Sequence, residues 1–280
     1  MTSPSFLWLM KTLPLVQAVQ NNKLGAVGAA LADRRAQFLA QTWRSEGGSG
    51  KTLLALALES RHLNAPKIAA LLLPHSDLSA TDLAGDTHLI IAARSWRHTM
   101  VEQMIPLSDT LAANASGETA LMAAARFKHA SNVALLLPVS DPMAANADGN
   151  TALMLAADFF SDTEDDFVNI PAARQIFDLL LPLSDARVKN KTDADVFDIA
   201  LHCQNFHAIE CLASIASDAQ LAGALASLAP FPEQIPLVLP KTLAHHEHRQ
   251  LKKAAEGACF GHNEMGELDS PPTRRAARSL

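Results

Sequence analysis

Apolar residues in this chain come in short bursts separated by polar turns, and the bursts recur. Set beneath one another, "GKTLLALAL" (50–58), "GDTHLIIAA" (85–93), "GETALMAAA" (117–125) and "GNTALMLAA" (149–157) share the pattern G-x-T-x-L-x-x-A at spacings of 35, 32 and 32 residues. A fifth, decayed copy, "DADVFDIAL", begins at Asp193. Each copy leads into a second apolar segment ending in "LLLPHSD" (71–77), "QMIPLSD" (103–109), "LLLPVSD" (135–141) or "LLLPLSD" (179–185). Asp77, Asp109, Asp141 and Asp185 each stand eight residues before Gly85, Gly117, Gly149 and Asp193. Two registers that agree mark an array in which each unit buries its apolar face on its neighbours.

One unit predicts its own local structure. Thr119 stands where a helix begins and offers its hydroxyl to an orphan amide, while Leu121, Ala124 and Ala125 share one face at i, i+3 and i+4. Phe127 to Ala130 turn the chain, Val133 to Leu137 form a second helix, and Pro138 stops it. "PMAANADG" (142–149) is then an extended excursion closed by a tight Asp148-Gly149 turn. Alanines at the contacts let neighbouring helices approach closely.

Units of this length with a turn, two antiparallel helices and a T-P-L-H-x-A-A signature are ankyrin repeats. "SGETALMAAA" (116–125) and "DGNTALMLAA" (148–157) resemble them over roughly residues 50–217. The signature Pro is replaced by Leu53, His88, Ala120 or Ala152 and the signature His by Ala55, Ile90, Met122 or Met154. Loss of that His implies loss of a hydrogen bond to a neighbouring Thr, and so greater reliance on apolar packing. The resemblance implies an all-α solenoid of ankyrin-like helix-turn-helix repeats with β-turn or hairpin connections and helical end caps. Residues 1–49 read as an N-terminal helical cap or diverged repeat, 50–217 as the array, 218–260 as a C-terminal helical cap and 261–280 as a disordered tail.

Composition narrows the function classes. A formal net charge of −6, with 23 Lys plus Arg against 29 Asp plus Glu, offers no general attraction for nucleic acid or anionic membrane. Cys203, Cys211 and Cys259 are odd in number and lack CxxC spacing, as expected of a reduced, cytoplasmic chain. No apolar run reaches the length of a membrane span, and the N-terminus is a poor signal peptide, although secretion through another signal stays compatible.

Candidate chemistry is sparse. "RSEGGSGKTLLALALES" (44–60) resembles a phosphate-binding loop, but the first glycine of G-x-x-x-x-G-K-[ST] is Ser45 here and no buried strand precedes it. Thr52 aligns with Thr87, Thr119 and Thr151, which makes it a repeat turn. His245, His246 and His248 put imidazoles on one helix without supporting carboxylate or thiolate spacing and read as a solvated face. Neither catalytic residues, metal nor cofactor is expected, and no small-molecule substrate.

The expected activity is therefore non-catalytic protein binding by a scaffold or adaptor; a secreted effector or inhibitor acting on a specific protein is the alternative, and a nucleotide- or zinc-dependent enzyme comes last. Ankyrin register places Leu56, Ile91, Ala123, Leu155 and Ile199, then Ser60, Ser95, Phe127, Phe159 and Cys203, along the concave groove, unless the register is shifted by one and these residues are core. Non-recurrent residues add Trp43, Arg94, Trp96 and Lys128 as candidate partner contacts. About a dozen extra residues between Ala157 and Ala173, acidic and carrying Phe159, Phe160 and Phe167, form a candidate binding loop. Hairpin-tip candidates are Asp82, Asn114, Asn146, Asp148, Asn190 and Lys191, of which Asn114, Asn146 and Asn190 recur at one register and can serve the turn itself.

Overall fold

The computed structural model describes residues 14–45, 50–158, 170–227 and 239–264, with side chains to Lys253 at the C-terminal end. Phe159, Phe160 and Phe167, the rest of 159–169, the side chain of Cys259 and residues 265–280 of the expected tail lie outside the described parts. The chain divides into two compact units, Met1–Ala208 and Ile209–Leu280.

The first unit opens with helices α1 (14–20), α2 (Leu24–Leu31) and α3 (Arg34–Thr42). Asp33 caps α3 by accepting from the Arg35 amide, and α2 packs against the first full repeat. Helix pairs follow: α4 (Leu53–Glu59) with α5 (Ala65–Leu72), α6 (His88–Ala93) with α7 (His98–Met104), α8 (Ala120–Arg126) with α9 (Ala130–Leu136), and α10 (Ala152–Ala157) with α11 (Ile170–Leu180). The fifth copy supplies α12 (Val196–His202), followed by α13 (Phe206–Leu212). First helices stack in the order α4, α6, α8, α10, α12, and second helices in the order α5, α7, α9, α11.

Local chemistry explains each boundary. Thr52, Thr87, Thr119 and Thr151 accept from the amides of Ala55, Ile90, Met122 and Met154, so the recurrent threonine is the N-cap of every full first helix. In the fifth copy Asp195 takes this place in a capping box with Asp198. The last α-helical donor of α9 is the Leu137 amide, which reaches the Val133 carbonyl, so the α-helical ladder ends at Pro138 as expected. α9 ends at Leu136, and Leu137–Val139 continue as a 3-10 turn; Pro74, Pro106 and Pro182 occupy the same place in their repeats. A proline there has no amide to donate to the preceding turn, so the α-helical ladder gives way to one short 3-10 turn. The aspartate that closes the motif then accepts from the amide two residues on, at Ser79, Leu111, Met143 and Arg187.

The excursions are turns fastened to one another. Isolated antiparallel bridges join Thr81 to Thr87, Ala113 to Thr119 and Ala145 to Thr151. The amides of Ala115, Ala147 and Lys191 donate to the carbonyls of Ala84, Ser116 and Asp148 one repeat back. A Cβ on Gly85 would lie 2.7 Å from the Ala115 nitrogen, and one on Gly117 2.9 Å from that of Ala147, with φ at +77° and +74°. Glycine is thus required twice over, by backbone conformation and by the close approach of the next turn. Asp193 adopts the same conformation at φ 63°.

The first helices of the second, third and fourth repeats are buried almost all round. Every residue of α6, of α10 and of 120–125 in α8 is in the core, so the one-faced pattern expected for Leu121, Ala124 and Ala125 describes only part of the helix. A helix without a polar position is covered on all sides, and "ALMAAA" has none.

In the second unit, α14 (Asp218–Ser227) packs against α15 (Pro240–Glu264), which runs past Gly261, where the sequence places the start of the tail. The Glu210 carboxylate accepts from the amides of Lys241 and Thr242 and from the Thr242 hydroxyl at 2.8–3.0 Å, capping α15. Arg249 and Lys253 pair with Asp218. His245, His246 and His248 all lie on α15. Among the described residues no helix is long and apolar enough to cross a membrane.

Candidate protein-binding surface

Burial separates the candidate residues into those a partner can reach and those it cannot. Ile91 and Leu155 are 4% and 2% exposed and Ala123 is fully buried, so the proposed apolar strip is core at the middle repeats. Leu56 and Ile199 at its ends are half-buried. Side-chain straps cross the first helices of the first three repeats. Arg94, just past the end of α6, reaches back to pair with both carboxylate oxygens of Asp86, just before its start, and extends to Glu118 of the next repeat at 3.0 Å. Arg126 pairs in the same way with Glu118 at 2.8 Å, and in the first repeat the signs reverse, Lys51 reaching Glu59 at 2.6 Å. Arg94 is therefore a structural strap as well as a half-exposed cation. Lys51, engaged with Glu59, and Thr52, engaged with α4 and His88, serve the repeat at the very residues a phosphate loop would need.

Lys128 is a second correction. It is 7% exposed, and its ammonium donates to the carbonyls of Leu155 (2.7 Å), Ala156 (3.2 Å) and Asp158 (3.2 Å), closing the C-terminus of α10 one repeat ahead. Burial lowers its pKa to about 8. Equivalent caps run in the other direction: Arg97 donates to the carbonyls of Ala57 and Ser60, His129 contacts that of Arg94, Asn132 donates to those of Ala93 and Ser95, and Asn205 to that of Ala157. Arg97, His129 and Asn205 share one repeat position, each twelve residues after Gly85, Gly117 or Asp193. A periodicity search limited to apolar residues passes over this polar one.

Four of the hairpin-tip candidates are engaged in their own turns. Asp82, Asn114, Asn146 and Asn190 each accept from amides two and four residues on. Asp148 and Lys191 are exposed beside them.

Large apolar side chains do stand in solvent at the turns joining first to second helices: Leu63 is 93% exposed, Trp96 70% and Phe127 47%. Trp96 and Phe127 both contact the His129 ring, Trp96 edge-on at 4.6 Å and Phe127 stacked at 6.5 Å. His129 is anchored in turn by its 2.8 Å contact to the Arg94 carbonyl. Trp96 and Phe127 were legible as candidates; Leu63 was missed, since its exposure follows from the length of one turn and not from a pattern.

A family profile described as ankyrin repeats (3 copies) matches residues 89–170. Among solved structures, the crystal structure of EF0377, an ankyrin repeat protein, is similar at TM-score 0.57 and 23% identity, over 72% of this chain and 97% of that one. No curated protein matches the chain significantly. Residues 89–170 thus match the ankyrin repeat family, and the fastened turns and stacked helix pairs have the ankyrin repeat fold.

Proposed function

We propose that this chain is a non-catalytic protein-binding module whose partner docks along the turns between first and second helices and the adjoining concave face, with Trp96 and Phe127 as anchors. Ankyrin repeats are protein-interaction modules, and the observation that carries the finer reading is the ring cluster. An exposed Trp held against a fixed His is an ordered apolar surface, so its burial by a partner costs little side-chain entropy. Trp is also the residue most enriched among binding hot spots, and contiguous exposed apolar side chains are uncommon without a partner. The straps hold the concave face rigid, which favours recognition without rearrangement.

A photoreactive phenylalanine analogue placed at Trp96 tests this in the native cell. The expected outcome is one predominant protein adduct, absent when the same analogue replaces Leu107 in the 3-10 turn after α7. Equal adduct patterns from both positions would contradict the reading.

A further inference from the structure

The strap that crosses each first helix is missing where the groove opens. In the first three repeats the two positions joined by a strap hold Lys51 and Glu59, Asp86 and Arg94, and Glu118 and Arg126. In the fourth they hold Asn150 and Asp158, and in the fifth Ala194 and His202. All four of these last residues line a single cleft of about 370 Å³, together with Met154, Leu155, Ile199 and Asp198 among others. Met154 and Leu155 are buried and give it an apolar floor, while Asp158 and His202 are exposed at its edge.

Its charge is one-sided. Asp158 occupies the strap position that Glu59 holds in the first repeat, but the position facing it carries Asn150 where the first repeat has the ammonium of Lys51. Asn150 accepts instead from the Asn190 side chain at 2.9 Å. The Cys203 thiol donates to Asp158 at 3.3 Å, a weak and neutral contact. Asp198 adds a second carboxylate, part of the α12 capping box. The nearby Lys128 ammonium donates to main-chain carbonyls, and the fourth repeat has no strap cation opposite Asp158.

We propose that this cleft receives a lysine or arginine side chain from the partner protein, which lays its aliphatic stem along the half-buried Ile199 and its cation at Asp158, supplying in trans the strap that the fourth repeat lacks. The volume is at the small end for a ligand pocket, as suits one long side chain. Long basic side chains bury their stems while keeping the charged head at a polar edge. The proposal rests on the protein-binding reading but uses different residues from the ring cluster.

The test is an amide-resolved NMR titration of the full chain with blocked alanine pentapeptides carrying one central arginine, lysine or citrulline. Citrulline has nearly the shape of arginine without its charge. The arginine and lysine peptides are expected to shift Thr192, Ala194 and Ile199, and citrulline is not. Asp158→Asn is expected to weaken arginine-peptide binding about tenfold, and Asn150→Lys, which rebuilds the strap in cis, to abolish it while raising the melting temperature. Equal shifts from citrulline, no shift in the cleft from any peptide, or undiminished binding to Asn150→Lys would overturn the proposal. Such a result leaves crosslinking through Trp96 untouched, so failure of the cleft and failure of the binding reading are separable.

Discussion

The imidazole Nε2 of His88 lies 2.6 Å from the hydroxyl of Thr52, a buried contact across the boundary between two repeats. Divergence of the ankyrin signature implied that a His-to-Thr hydrogen bond had been lost. At this boundary it is supplied from the position where the signature has Pro, two residues earlier. His88 is 2% exposed, and burial pulls its pKa down to about 4, with the Leu78 backbone pulling weakly the other way.

A pH dependence follows from that buried ring. The folded-state pKa lies below the usual 6.5, so the proton binds the unfolded chain preferentially. The contribution of His88 is complete above about pH 6.5 and is lost as pH falls towards about 4, by about 3 kcal/mol at most. His129, also lowered by burial, acts in the same sense. Urea unfolding at about pH 7.5 and about pH 4.5 is expected to show a smaller loss of stability for His88→Gln than for the wild type.

Lys128→Met is expected to destabilise the protein by about 2–4 kcal/mol, since three carbonyls at the end of α10 lose their donor. Its lowered pKa adds a sign: between about 8 and 10.5 the unfolded chain holds the proton more tightly, so wild-type stability gains from this group as pH rises through that window. Denaturant midpoints of the two proteins across the window check both statements.

Much of the fold was legible because the residues that set it are small and recur. In the four full repeats Thr at the N-cap of the first helix, Gly two residues before it and Asp after the Pro fix the boundaries of a unit by local chemistry alone. The candidate surface was less legible. Ile91 and Leu155 read as groove residues because register says which way a position points, while burial depends on what packs around it, and both are 4% exposed or less. Lys128 read as a surface cation for the same reason; its acceptors belong to another repeat.

The glycine argument predicts opposite outcomes at equivalent positions. Gly117→Ala meets the Ala147 amide at 2.9 Å at positive φ and is expected to cost at least about 1–2 kcal/mol. Asp193→Gly, at φ 63°, is expected to be neutral or to stabilise by up to about 1 kcal/mol, less the exposed pair with Lys189. Thermal unfolding of the two variants is the check.

Leu155→Glu is expected to unfold the fourth repeat rather than to probe a groove, because it places a carboxylate in a site that is 2% exposed. Loss of far-ultraviolet helical signal at 25 °C, against an unchanged spectrum for Trp96→Ala, separates core from surface.

The measurement that bears most directly on a binding surface anchored by the ring cluster is quantitative capture from native lysate by the wild type and by a Trp96→Ala, Phe127→Ala double variant with the same melting temperature. The account predicts a protein enriched by the wild type and reduced at least about tenfold by the variant. An identical set of captured proteins from both would contradict it.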